Sequence, residues 1–237
     1  MVVKEYLTYN QIHKLCQEAA PRILRDFRPQ LIIAIGGGGY VPARILRSFL
    51  KQPGSPNIPI QAIGLSLYEE LYTSANGTSC SVTSPSTTSG NLAPTIIERP
   101  GTVVTRTQWL DLNSLGDMQN LVGKRILIVD EVDDTRTTLQ YAVQELEKDL
   151  ETARQKLGGK GDPTVLSIFV LHNKQKQKKG CLPQGMLNDN RYMAARNVED
   201  IWICYPWEAT DIDEHDRLAN QQQQKAKEGS KLITAGT

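Results

Sequence analysis

Apolar residues recur at Ile12, Leu15, Cys16, Ala19 and Ile23. That stripe has helical spacing and predicts an amphipathic helix over Tyr9 to Leu24. Pro21 lacks a backbone donor and is expected to kink or end it. The run Leu31-Ile32-Ile33-Ala34-Ile35 after Pro29 is short, continuous and rich in branched residues. It suits a strand buried on both faces. Four glycines follow, and Pro42 to Leu50 reads as a helix. Ile60 to Leu67, Ile126 to Val129 and Val165 to Leu171 read as three further strands, and Asp200 to Tyr205 as a short one. A helix is expected from about Thr137 to Leu157. Strands alternating with helices indicate an α/β fold with a parallel sheet.

The pattern breaks between Thr73 and Thr95, where 12 of 23 residues are Ser or Thr. Such a stretch has too little apolar surface to order itself and reads as a mobile loop. Strands resume on both sides, so it is not a domain linker. Gln221 to Gln224 opens a polar tail, expected to fray.

Composition narrows the classes. The 237 residues suffice for one sizeable α/β domain. With 27 Lys and Arg against 26 Asp and Glu, the chain lacks the basic surplus of a nucleic-acid or membrane-surface binder. No apolar stretch reaches membrane-span length. The start, Met1 to Tyr6, has no signal-peptide pattern, and a cytoplasmic location is expected. Four scattered cysteines form no CxxC pair, and His13, His172 and His215 lie far apart. A local His/Cys metal site has no support.

The densest chemistry lies in Ile126 to Thr138, where Asp130, Glu131, Asp133 and Asp134 follow the apolar run and precede a helix. The carboxyl edge of a parallel sheet is where such folds bind ligands. The backbone N–H groups and the hydroxyls of Thr135, Thr137 and Thr138 can wrap a phosphate at the helix N-terminus. Adjacent carboxylates suit a sugar diol, or a magnesium ion that keeps its waters. Four carboxylates so close repel one another unless a cation sits among them. For Asp133 alone, a plain helix-start role with the side chain in solvent stays open.

Gly36-Gly37-Gly38-Gly39 lies between a strand and a helix. A Walker A loop would end in Gly-Lys-Ser/Thr, and a dinucleotide loop needs a third glycine where Val41 or Pro42 stands. A backbone cradle for an anion fits both neighbours. Downstream, Lys174 to Lys179 reads by itself as a solvated basic loop, and a core role stays open for Trp202 and Trp207.

Ile126 to Thr138 resembles the signature of the type I phosphoribosyltransferases: an apolar strand, two acidic residues, two spacers, Asp-Thr and a closing Thr. Leu65 to Tyr68, Arg106 to Leu110 and Tyr205-Pro206-Trp207 extend the resemblance from Tyr9 to about His215. It is nearest to the fungal hypoxanthine-guanine and xanthine phosphoribosyltransferases. It implies the type I fold, a central mostly parallel sheet flanked by helices with a small base-binding hood. One domain would span 1–218, with an insert at 73–100, and a tail would follow at 219–237.

The resemblance also implies roles. Asp130 and Glu131 would hold the ribose hydroxyls, directly or through Mg2+. Asp134, Thr135, Arg136, Thr137 and Thr138 would surround the 5-phosphate. Asp134 would act as general base or acid near N7 of the purine. Many family members have glycine where this chain has Arg136, whose guanidinium is expected to add a phosphate contact. Gly36, Gly37 and Gly38 would form the pyrophosphate loop, with a cis peptide at Gly36–Gly37. Lys174 would donate to the purine 6-oxo group, Trp202 would cover the base, and Ile203 would offer backbone groups to its edge. Glu208 would reach a second magnesium. The implied reaction joins a 6-oxopurine to 5-phosphoribosyl 1-diphosphate in a homodimer or homotetramer. The rival is a non-catalytic regulator of the same fold that senses the ribosyl diphosphate.

Overall fold

The computed structural model describes residues 3–68, 103–110, 118–160 and 162–234. Helix α1 (Tyr9–Asp26) begins where Thr8 and Gln11 cap each other: the Gln11 amide donates to the Thr8 hydroxyl and the Thr8 amide to the Gln11 side chain. Two otherwise free donors are thereby satisfied. Pro21 does not end this helix. Its ring is exposed, so the carbonyl it leaves unbonded faces solvent, while Ile12, Leu15, Cys16, Ala20 and Ile23 keep the buried stripe continuous.

Strand β1 (Lys4–Tyr6) precedes α1, and β2 (Leu31–Gly36), α2 (Tyr40–Leu50), β3 (Ile60–Tyr68) and β4 (Val103–Gln108) follow it. Then come β5 (Arg125–Asp133), α3 (Thr137–Lys156), β6 (Val165–Lys174), the short α4 (Gln184–Asn188), β7 (Tyr192–Val198), β8 (Trp202–Cys204) and α5 (Ile212–Thr234). Six strands form one sheet in the order β4-β3-β2-β5-β6-β7, and only the β3–β4 pair is antiparallel. Helices α1 and α2 cover one face with Leu127, Val129 and Phe169 beneath them. Leu139, Val143 and Leu146 of α3 cover the other, over Ile33, Ile128 and Ile168.

Strands β1 and β8 form a separate parallel pair, the expected hood. Helix α5 clamps it, because the Gln222 side chain accepts the Tyr6 N–H and donates to the Lys4 carbonyl. The expected tail boundary at 218 therefore falls inside a helix, and Ala219 is fully buried. The Ser/Thr-rich insert lies outside the described residues.

Candidate active site

Strands β2 and β5 are parallel neighbours, with Leu31 beside Ile126 and Ala34 beside Val129. The chain leaves β2 toward β3 on one side and β5 toward β6 on the other. Their carboxyl ends thus frame a topological switch point, where a crevice opens. A cavity of about 450 Å³ sits there, lined by Gly36 to Gly38, Asp130 to Gln140, Lys179 and Gly180. The glycine loop and the acidic segment, 92 residues apart from Gly38 to Asp130, face each other across it.

The glycines serve different needs. A Cβ on Gly38 would fall 1.8 Å from the Glu131 carboxylate, and one on Gly39 would fall 2.4 Å and 2.5 Å from the carbonyl oxygens of Val129 and Ile35. Gly37 has nothing near it and is open to the cavity. The Gly36–Gly37 peptide is cis, as expected.

Strand β5 runs on through Asp133 instead of stopping at Val129, because β6 also extends and pairs Val132 with His172 and Asp133 with Asn173. The four carboxylates therefore meet four different surroundings. Asp133 is 1% exposed, which excludes the solvent-facing reading. Its Oδ2 accepts the Tyr192 hydroxyl at 2.6 Å, Arg136 Nε at 2.9 Å and Arg136 Nη2 at 2.8 Å, and Lys178 Nζ lies 3.4 Å from Oδ1. Asp134 is half exposed and pairs with Lys176 Nζ at 2.5 Å and Lys174 Nζ at 3.5 Å.

Asp130 and Glu131 are the exception. No ion pair reaches either among the described residues. Asp130 is buried, and burial first, then the Glu131 charge, pushes its carboxyl well above the usual range. Oε2 of Glu131 is buried without a hydrogen-bond partner. Among the described residues, cations of the chain thus relieve the repulsion expected of four carboxylates for two of them and reach neither of the other two.

Arg136 combines an unusual backbone conformation with a partner inside the protein. Its φ of 69° lies in the left-handed region that favours glycine, at a cost of about 1–2 kcal/mol for a side-chain-bearing residue. The guanidinium is engaged within the protein. It bonds Asp133 and lies 4.9 Å from the Tyr192 ring centre. Charge-assisted bonds in a buried setting, about 1.5–3 kcal/mol each, outweigh the backbone cost. The adjacent hydroxyls of Thr135 and Thr137 are 3.0 Å apart, and Thr137 and Thr138 open α3.

The lysine loop is not a solvated patch either. Lys174, Lys176 and Lys178 alternate with outward residues, and their side chains are only 11%, 27% and 14% exposed. All three reach Asp133 or Asp134. Sequence reasoning missed Lys176 and Lys178, although their period-two spacing was a usable signal.

Lys174 Nζ also lies 3.7 Å from Asp200, which ties the end of β6 to the segment before β8. Trp202 is 57% exposed on β8. It does not line the 450 Å³ cavity but a neighbouring cleft with Tyr6 and Glu208. The Trp202 N–H donates to the Val3 carbonyl and the Cys204 carbonyl accepts the Leu7 N–H. Ile203, between them, turns its own N–H and C=O to the open edge of the pair. The Glu208 carboxyl is pushed up by burial and by the Glu131 charge, so it lies within electrostatic reach of that residue. The Tyr205 hydroxyl donates to the Glu131 carbonyl at 3.0 Å and meets His172 Nδ1 at 2.9 Å, a support that the sequence did not reveal.

No protein-family model matches the chain. Over 219 residues it is 54% identical to xanthine phosphoribosyltransferase 1 of Saccharomyces cerevisiae, covering 92% of this chain and 95% of that protein. Over 214 residues it is 54% identical to the hypoxanthine-guanine phosphoribosyltransferase of Schizosaccharomyces pombe, covering 90% and 93%. Among solved structures, a hypothetical protein from Neisseria gonorrhoeae with bound ppGpp is similar at 33% identity and a TM-score of 0.65, covering 94% of this chain and 98% of that one. With this identity along nearly its whole length, the chain belongs to the purine phosphoribosyltransferases, enzymes of the type I fold.

Proposed function

We propose that this enzyme transfers the 5-phosphoribosyl group from 5-phosphoribosyl 1-diphosphate to a 6-oxopurine, with Mg2+, in purine salvage. The bond from the ribosyl carbon to the diphosphate breaks, a bond to the base nitrogen forms, and pyrophosphate and the nucleoside monophosphate leave. One observation carries the reading: among the described residues no cation pairs with Asp130 or Glu131, while their two acidic neighbours have theirs.

That lack also suits a metal. Among the described residues no three His, Cys, Asp or Glu side chains are grouped to cage an ion. Magnesium needs no such cage, since one or two carboxylates, substrate oxygens and waters complete its shell. Glu131 would hold it, with Asp130 on the ribose hydroxyls and Glu208 near a second ion. When bound, the ion would neutralise charge on the departing diphosphate. The amides of Gly36, Gly37 and Gly38 support the same charge.

Asp134 takes or steers the proton at N7, a role worth about 10²–10⁴-fold in general. Its half-exposed carboxylate beside Lys174 supports this. Lys174 can donate to a 6-oxo oxygen but not to the amino group of adenine. Trp202 and the open backbone edge at Ile203 would hold the ring. The amides and hydroxyls of Thr135, Arg136, Thr137 and Thr138 take the 5-phosphate, and the Arg136 part is its backbone. The similar Neisseria gonorrhoeae protein has bound ppGpp, which supports a site for a phosphate-bearing ligand.

We read the enzyme as a cytoplasmic homodimer or homotetramer, on family resemblance. Among the described residues no helix is long and apolar enough to cross a membrane. The test is nucleotide formation from hypoxanthine, guanine, xanthine and adenine, each with 5-phosphoribosyl 1-diphosphate, with and without Mg2+. Product from at least one 6-oxopurine, lost on chelation, is expected. Ribosyl diphosphate binding without product from any base would favour the regulator.

A further inference from the structure

The peptide groups under the 5-phosphate loop are held from one side. Lys178 Nζ donates to the carbonyls of Asp133 and Asp134 at 2.6 Å and 3.0 Å. The N–H groups of Lys179 and Gly180 both donate to the Thr135 carbonyl at 3.0 Å. Three successive carbonyls thus point at segment 178–180. In a trans peptide the C=O of one residue and the N–H of the next point in opposite directions. The N–H groups of Asp134, Thr135 and Arg136 are therefore turned away from that segment, as an anion nest requires.

A side-chain knot locks this arrangement. Asp133 is closed by Tyr192, Arg136 and Lys178. Gly180 lies so close that a Cβ there would fall 2.4 Å from the Arg136 carbonyl oxygen. Asp133 is shut off from solvent.

We propose that Lys178, Tyr192 and Asp133, with the Arg136 guanidinium, are positioning residues that hold the loop in its phosphate-binding shape before the ligand arrives. This rests on the reading of Asp134 to Thr138 as a 5-phosphate site. A loop already ordered loses less entropy on binding, so the knot acts on affinity for the phosphoribosyl group more than on turnover at saturation.

The experiment compares the wild-type protein with Lys178→Met, Lys178→Arg and Tyr192→Phe. Calorimetry gives Kd for ribose 5-phosphate, and steady-state rates give KM for 5-phosphoribosyl 1-diphosphate and for the base. Lys178→Met is expected to raise Kd and the diphosphate KM roughly tenfold, and Tyr192→Phe roughly threefold, with base KM unchanged. Lys178→Arg should recover part of the loss. Ribose 5-phosphate Kd within about twofold of wild type in both Lys178→Met and Tyr192→Phe overturns the proposal. So does a base KM that rises as much as the diphosphate KM. Tyr192→Phe removes one hydroxyl only and decides the matter if Lys178→Met does not fold. A wild-type protein that binds ribose 5-phosphate without forming nucleotide refutes the proposed reaction, while the Kd comparison still decides this inference.

Discussion

Lys176 Nζ lies 2.5 Å from one carboxylate oxygen of Asp134 and 3.0 Å from Asp200. The residue expected to handle the purine proton is thus held at the junction of the sheet and the hood. Asp134→Asn keeps the shape and removes the proton acceptor. Turnover should fall by about 10²–10⁴-fold, while ribosyl diphosphate binding stays near wild type. Single-turnover rates and a binding titration check this, and an unchanged rate would remove the general-base role.

Neighbouring glycines should fail in different ways. In Gly38→Ala the new methyl meets the Glu131 side chain, so the magnesium and ribose contacts proposed for Glu131 should suffer. Its magnesium requirement should rise about tenfold or more with little change in melting temperature. In Gly39→Ala the methyl meets two backbone carbonyls, which cannot swing away. That variant should lose about 1–3 kcal/mol of stability. Magnesium titrations and denaturant unfolding separate the two.

His172 links stability to pH. Burial lowers its pKa from 6.5 to about 4, and it is 2% exposed. As pH falls, the unfolded chain takes up the proton first. Stability is full above about pH 6.5 and drains away toward pH 4, by on the order of 2–3 kcal/mol. Asp130, with its carboxyl pushed up, works with the opposite sign. The wild-type slope is therefore compared with that of His172→Gln, which should be shallower between pH 4 and 6.5. Equal slopes would mean that His172 does not titrate in this way.

Arg136→Gly places the family's commoner residue in the left-handed turn. About 1–2 kcal/mol of backbone cost is relieved, but a buried carboxylate loses a partner, which typically costs about 3–5 kcal/mol when nothing else compensates. Tyr192 and Lys178 remain on Asp133, so the net loss should be about 1–2 kcal/mol by urea unfolding. A stabilised variant would show that the guanidinium contributes nothing there.

Much of the fold was readable along the chain. The central strands β2, β5 and β6 are continuous apolar runs because helices cover both faces. The stripes of α1 and α2 follow from the same burial. Strands β4 and β7 were missed. They are the two edges of the sheet, and Val103-Val-Thr-Arg-Thr-Gln108 and Tyr192-Met-Ala-Ala-Arg-Asn-Val198 mix polar and apolar residues as half-covered edges do. Strand β8 falls within the short strand expected at Asp200 to Tyr205, whereas the three-residue β1 is too short to carry a period.

The opening chemistry was local and therefore legible: a glycine run, an acidic and hydroxyl segment, and a lysine, each beside a strand end. Which carboxylate needs an outside cation was not local. Parallel pairing of β5 with β6 sets Asp133 beside Asn173, and the loop beyond then returns Lys174, Lys176 and Lys178 to Asp133 and Asp134. Coulomb attraction acts through space and falls with distance, not with sequence separation. Residue types and periods could name the acidic segment as a site. Folding alone assigned two of its carboxylates to the protein's own cations and, among the described residues, gave Asp130 and Glu131 none.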